Sequence, residues 1–144
     1  MSKNLVANAT ISIAADTSRV WNALVTPKAI KQYMFGADVE SDWEIGSRIT
    51  WSGEFNGRKY EDKGEILQFE PARILSYSHF SPTSGRSDHP DNYHTVTIRL
   101  SGNGGTTNVS LSQDKNPDQK SQAASEKNWN AILEGLKKYV ESTS

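Results

Sequence analysis

Residues 116–140 read NPDQKSQAASEKNWNAILEGLKKYV, and the spacing of their apolar side chains sets the terms for the rest of the chain. Counted from Trp129, the residues Ile132, Leu133, Leu136, Tyr139 and Val140 stand at +3, +4, +7, +10 and +11. That is one continuous face of an α-helix. Asn116-Pro117-Asp118-Gln119 has the form of an N-cap, a proline at the first helical position and a glutamine that closes a capping box. Lys137 and Lys138 fall in the last turns, where positive charge suits the helix dipole. About 25 residues at 1.5 Å each give roughly 38 Å, enough to cross a whole sheet.

Upstream of this helix the period changes. From Ala37 to Asp114 the pattern alternates. Ile49, Trp51 and Phe55 point one way, and Arg48, Thr50, Ser52 and Glu54 the other. Asn56-Gly57 is a strong hairpin signal, because both turn positions favour positive φ. Further strands are expected over Arg58–Glu70, ended by Pro71, over Ile74–Phe80, and through Val96, Ile98 and Leu100. Gly102-Asn103-Gly104-Gly105 makes a loose turn before Val109 and Leu111. Residues 5–13 (LVANATISI) form a first strand. Asp16 or Thr17 then caps a short helix that carries Val20, Trp21 and Leu24, and Thr26-Pro27 starts a second with Ile30, Tyr33 and Met34. Short strands joined in order by turns predict an antiparallel meander. Residues 81–92 (SPTSGRSDHPDN) are polar and long for a hairpin connection; they read as an exposed tip or as a flap at a pocket mouth.

The bulk numbers fit one domain over residues 1–144. The net charge of -1 gives no hold on a polyanion, so nucleic acid is not an expected partner. The chain has no cysteine, which excludes disulfides and thiolate chemistry and fits a reducing cytoplasm. The apolar runs fall short of the ~20 residues a membrane helix needs, so no membrane insertion is expected. Met1-Ser2-Lys3-Asn4 lacks the features of a signal peptide, and cytoplasmic residence is the expectation.

The order strand, two short helices, strands, long helix implies an α+β fold: a curved antiparallel sheet wrapped around the C-terminal helix. An apolar sheet face must be buried, and only that helix is long enough to do it. A strongly twisted sheet leaves space under one helix unless large side chains fill it.

Five segments carry a resemblance. Val20-Trp21-Asn22-Ala23-Leu24-Val25-Thr26-Pro27 resembles a V-W-x-A-L-T-x-P motif. Ile45-Gly46 stands where a glycine pair is usual. Gly64–Pro71 resembles G-x-V-L-E-x-x-P, and Leu75–His79 resembles L-x-[YF]-x-W with His79 in the place of tryptophan. Asn128-Trp129 with Leu133, Leu136 and Lys137 resembles G-W-x-x-x-L-x-x-L-K. Together they are similar to the START and birch-pollen-allergen-like (SRPBCC) superfamily, in its branch of heat-shock chaperone ATPase activator homologues. The resemblance implies a helix-grip fold with a pocket between sheet and last helix. Superfamily members bind lipids, hormones or polyketides, catalyse cyclisations or assist chaperones.

Expected pocket-lining residues are Trp51, Phe55, Tyr77, His79, His94, Val96, Trp129, Leu133 and Leu136, and the expected ligand is a small apolar or amphipathic molecule. No cofactor is expected. No metal site is expected either, because His79, His89 and His94 have no ligand spacing. Two imidazoles and a phenol would suit an enolisation or dehydration. The plainer reading is two histidines, hydrogen-bonded or facing solvent, near the sheet's rim, since no carboxylate or second acid lies at a demanding spacing from either. Glu61, Asp62 and Glu65, interleaved with Lys59 and Lys63, read as a solvated strand face. Gly135 either permits a close approach of sheet or ligand or sits on the exposed side. The expectation is therefore a non-enzymatic binding domain, with a stress-related role implied by the branch. The alternatives are a chaperone-activator-like interaction protein or a polyketide cyclase/dehydratase-like enzyme. The full activators carry a further N-terminal domain, for which 144 residues leave no room.

Overall fold

The computed structural model describes residues 5–55, 57–82 and 85–142, the side chains of Phe55 and Asn103 excepted. Its elements are β1 (Leu5–Ile13), α1 (Thr17–Val25), α2 (Pro27–Tyr33), β2 (Asp38–Ser41), β3 (Arg48–Phe55), β4 (Arg58–Glu70), β5 (Ile74–His79), β6 (His94–Asn103), β7 (Thr106–Asn116) and α3 (Gln119–Ser142). The strands form one antiparallel sheet in the order β1-β7-β6-β5-β4-β3-β2. This is the expected meander, closed by the first strand at one edge. The helix-grip arrangement follows: the sheet curves around α3, with α1 and α2 inserted after β1.

The curvature is concentrated in β4. Its first part pairs with β3 from Phe55↔Arg58 to Arg48↔Glu65. Its last part pairs with β5, with a register shift between Ile66 and Gln68. Gly64 sits at the handover, and a Cβ there would lie 1.7 Å from the Ser78 carbonyl oxygen. Only a residue without a side chain lets the two strands close this corner. The β6–β7 turn is tighter than the sequence suggests. Asn103 pairs with Thr106, so only Gly104 and Gly105 turn the chain, both at positive φ. Gly57 likewise takes positive φ in the β3–β4 turn, and Asn56 lies outside the described residues.

The apolar stripe of α3 turns inward, with Tyr139 at its end beside α1 and α2. Trp129, Ile132, Leu133, Leu136 and Val140 are buried and Tyr139 is half-buried, in one cluster with Ile13, Ile49, Ile66, Leu75, Val96, Ile98 and Leu111. Gly135 permits a close approach, and the element it admits is α2. An added Cβ would stand 3.1 Å from Tyr33 Cβ. The Tyr33 hydroxyl donates to the Ala23 carbonyl at 2.8 Å, which ties α2 to α1.

The N-terminus of α3 departs from expectation. The chain stays extended through Asn116, which is buried at the end of β7, and Asp118 is the cap, accepting from the Ser121 amide at 2.7 Å. Asn116 is occupied elsewhere: its amide donates to the Leu5 and Gln113 carbonyls, and its carbonyl accepts from the Ser125 hydroxyl. The extended chain before the helix uses the asparagine to fasten β1 to β7, and the next short acceptor takes the cap.

A polar stripe on α3 completes the grip. Gln122 Nε2 donates to the Val6 carbonyl and Lys137 Nζ to the Ser12 carbonyl, both at 2.8 Å. Glu126 accepts from the Asn8 amide at 3.0 Å and Glu141 from the Ala14 amide at 2.8 Å. Three of these are outward groups of β1, the edge strand, and the fourth, the Ala14 amide, follows directly after it, so the helix occupies an edge that would otherwise template foreign strands. The Ala14 amide and Lys137 together hold the Glu141 carboxyl below its ordinary range.

Truncating a large buried aromatic costs about 3–5 kcal/mol, and each kcal/mol moves the melting point of a domain this size by roughly 2–4 °C or more. Trp129→Ala is expected to lower the Tm by roughly 10 °C in a thermal melt. A shift within one or two degrees would place the α3 stripe outside the core.

Candidate functional site

The grip is filled along most of its length. Large side chains, among them Leu133, Leu136, Ile98 and Leu111, leave only about 30 Å³ between helix and sheet there. Under the first half of α3 the packing stops. A cavity of about 620 Å³ opens between the Asn128–Ile132 stretch of α3, the segment after α2, and the β3–β4 side of the sheet. Small-molecule sites commonly fall between 300 and 1,000 Å³. The opposite, solvent-facing side of the sheet carries a shallow trough of about 670 Å³ lined by Ser12, Gln68, Arg73, Arg99 and Ser110. Its lining mixes polar side chains with Ile11, Ile74, Leu100 and Val109 and holds no aromatic ring, whereas the cavity beneath α3 has aromatic walls and converging titratable groups.

Of the expected lining residues, Trp51, Tyr77, His79, His94 and Trp129 meet at this cavity. Leu133 and Leu136 border only the small void of the packed core. Val96 is buried in the core and borders neither space. The Phe55 side chain lies outside the described residues. Trp51 and Trp129 thus serve as core and wall at once, being buried yet bordering the cavity.

A polar row crosses the sheet at the cavity. Trp51 on β3 stands opposite Asp62 on β4, and His79 on β5 stands opposite His94 on β6. His79 Nε2 lies 3.0 Å from Asp62 Oδ2. A carboxylate only accepts, so Nε2 carries the hydrogen and the neutral ring keeps its lone pair on Nδ1. Trp51 packs against both the Tyr77 and the His79 rings, with centroids 5.0 and 5.1 Å away. His94 Nδ1 donates to the Asp114 carbonyl at 2.8 Å, which leaves its lone pair on Nε2. On β7, Gln113 Oε1 accepts from Trp129 Nε1 at 2.5 Å and joins the helix to the row.

The Asp62–His79 pair corrects two expectations. A carboxylate does stand at hydrogen-bond distance from a histidine, and Asp62 does not belong to the solvated face of β4. Its side chain is 18% exposed, and its second oxygen, Oδ1, is buried without a hydrogen-bond partner among the described residues. Strand alternation explains the placement. Asp62 shares a face with Tyr60 and Ile66, while Lys59, Glu61, Lys63 and Glu65 take the other. The period-two signal around the fully buried Ile66 was available in the sequence; the alternating charges obscured it.

Burial raises the Tyr77 hydroxyl well above its ordinary range, and its oxygen has no hydrogen-bond partner among the described residues. Burial does the same for Tyr33. The 81–92 connection is held down at its far end: Asp88 pairs with Lys63 of β4 and accepts from the Tyr93 hydroxyl at 2.6 Å, and Tyr93 stacks on Phe80. Ser81 reaches the cavity wall, while 83 and 84 lie outside the described residues. Phe35, exposed and at positive φ, stands at the rim.

Residues 14–141 match the family model described as Activator of Hsp90 ATPase homolog 1-like protein. The chain belongs to this family. The solution structure of ChR145 from Cytophaga hutchinsonii is 52% identical, with a TM-score of 0.86 over 99% of this chain and 97% of that one. The Aha1 dimer from Colwellia psychrerythraea has the family's fold at 19% identity, with a TM-score of 0.74 over 95% and 96%. Ara h 8.0201 shares the fold at 10% identity, with a TM-score of 0.78 over 98% and 100%. No curated protein matches the chain. Among the described residues no group of acidic or histidine side chains could hold a metal ion, and no helix is long and apolar enough to cross a membrane.

A tyrosine whose pKa is raised by folding keeps a proton that the unfolded chain releases above its ordinary 10.0. Stability therefore falls as pH rises beyond 10. In a spectrophotometric titration of the five tyrosines, Tyr33 and Tyr77 are expected to ionise only as the fold is lost. Tyr77→Phe is expected to remove one of these late ionisations. Ionisation of all five near pH 10 in the folded protein would show that Tyr77 is solvated.

Proposed function

We propose that this domain binds a small apolar or amphipathic molecule in the cavity beneath α3. One observation carries the reading: the grip is closely packed except at one end, where about 620 Å³ is walled by Trp51, Tyr77 and Trp129. An unfilled apolar space costs stability that a core could recover with larger side chains. An aromatic wall with a few convergent polar groups is the usual make-up of a small-molecule site. Arg58 and Lys59 at the rim and the Asp62–His79–His94 row at the sheet give an amphipathic molecule places for its polar atoms.

The family's description favours a second reading, a surface that engages a chaperone. Such a surface needs a contiguous apolar patch. The exposed large apolar residues among those described are four, Val6, Phe35, Ile45 and Leu67, whereas the rings of Trp51, Tyr77, His79, His94 and Trp129 converge on the cavity, and ligand binding takes first place on that ground.

Of the four tryptophans, two line the cavity, whereas Trp21 packs edge-on against Phe69. Titration with fatty acids, flavonoids and an apolar dye is expected to give a saturable change in tryptophan emission for at least one class. Trp51→Phe with Trp129→Phe is expected to remove that change. The absence of a saturable response to every class would overturn the reading.

A further inference from the structure

The polar row contains more than a binding site requires. A pocket that only holds an apolar body needs a few polar atoms for orientation, and these are normally satisfied by their neighbours. Here three groups at the cavity keep unused capacity. His79 has Nε2 committed to Asp62 and its Nδ1 lone pair free. His94 has Nδ1 committed to the Asp114 carbonyl and its Nε2 lone pair free. The Tyr77 hydroxyl has no hydrogen-bond partner among the described residues. Imidazole exchanges protons near neutral pH, and a carboxylate bonded to the far ring nitrogen fixes the tautomer and steadies the imidazolium that forms. A buried phenol that keeps its proton is a donor suited to an oxygen that becomes negative.

Tyr77 and His79 alternate with Ser78 on β5 and point to the same face, about 7 Å apart along the strand. Both side chains border the cavity, so a ketone seated there meets a ring nitrogen and a phenol supplied by one strand. Trp51, packed on both rings, and Trp129 of α3 also line the cavity and offer a flat apolar body aromatic walls.

We infer that the cavity is a proton-transfer site for aryl or cyclic ketones, in which His79 is the base and Tyr77 the carbonyl-oxygen donor. The inference rests on the proposed ligand-binding role of the same cavity. His79 Nδ1 takes the α-proton. The C–H electron pair becomes the C=C bond of the enolate, and the carbonyl π pair moves to oxygen, where the Tyr77 hydroxyl donates to it. The imidazolium returns a proton to carbon, and His94 is placed to serve as a second proton carrier. The cycle is an enolisation. It consumes no co-reactant and leaves the ketone, or its conjugated isomer, as product. Asp62 is a positioning residue that acts through His79.

The test uses 1-indanone as probe with the full chain in D2O buffer. NMR follows deuterium uptake at the carbon next to the carbonyl, and tryptophan emission follows binding. Wild type is expected to exchange that position at least tenfold faster than buffer alone. His79→Gln is expected to lose the excess, and Tyr77→Phe to lose at least tenfold of it, both with binding retained. For Asp62→Asn the expected result is a lower rate and a changed pH profile between pH 5.5 and 8, with Asp62→Glu partly restoring both. His79 is faced by Asp62 from β4 and His94 from β6, with Tyr77 on its own strand. Glu54, Arg58, Lys59 and Tyr60 complete the charged and titratable lining, and Glu134→Gln, on the exposed face of α3 away from the cavity, serves as the control that leaves the profile in place. Saturable binding of indanone with exchange no faster than buffer would overturn the proton-transfer role and leave the binding role standing. The absence of indanone binding would overturn the ketone assignment. Failure of every ligand class in the emission titration would overturn both.

Discussion

The fold depends on α3 meeting two different demands of the sheet at once. Its apolar stripe from Trp129 to Val140 covers the concave face, and its polar stripe of Gln122, Glu126, Lys137 and Glu141 hydrogen-bonds the outward backbone of β1 and of Ala14 just after it. The two stripes fix the helix in rotation and in position along its axis. A slip of one residue would turn Leu136 out of the core and carry the charged side chains away from the edge. Gly135 against Tyr33 adds the third restraint, because α2 approaches where no side chain stands. Isolated hydrogen bonds at a surface contribute on the order of 0.5–1.5 kcal/mol each. Here they matter chiefly for placement, while burial of the stripe supplies most of the free energy.

The cavity follows from this placement. The helix is held at β1 and against α2, whereas the sheet bends away at Gly64 and carries the β3–β4 hairpin outward. Where helix and sheet are close, Leu133 and Leu136 fill the space. Where they diverge, only the aromatic walls reach in. The polar row lies across this mouth, where β4, β5, β6 and β7 each supply one inward side chain: Asp62, His79, His94 and Gln113. A carboxylate with one oxygen bonded and the other buried without a partner is costly in isolation. A function that uses the charge accounts for its presence better than packing does.

The fold was largely legible in the sequence because it rests on periodicity. The 3.6-residue stripe, the change to alternation after Ala37 and the turn glycines are local signals, and each strand and helix named from them is present. The cap of α3 was misplaced because a choice between two nearby acceptors depends on what else binds them, and Asn116 is taken by Leu5, over a hundred residues away in sequence. The site was legible only in part. Trp51, Tyr77, His79, His94 and Trp129 border the cavity, whereas Leu133, Leu136 and Val96 share the expected faces but lie deeper. Alternation gives the side of a sheet and says nothing of depth. Asp62 was assigned to solvent because its charged neighbours outvoted its register, and a hydrogen bond between strands 17 positions apart is not a local property.

In the proposed binding mode a small molecule enters beneath the first half of α3 rather than the trough on the other side of the sheet. Amide and indole N–H chemical-shift mapping during titration with an apolar naphthalene dye distinguishes the two. Shifts are expected to centre on the Trp129 and Trp51 indoles and on the backbone around Asp62, Tyr77, His79 and His94, with the Trp21 indole and the Ser12–Ser110 side of the sheet unmoved. Shifts confined to Ser12, Arg73, Arg99 and Ser110, or none at saturating dye, would contradict it.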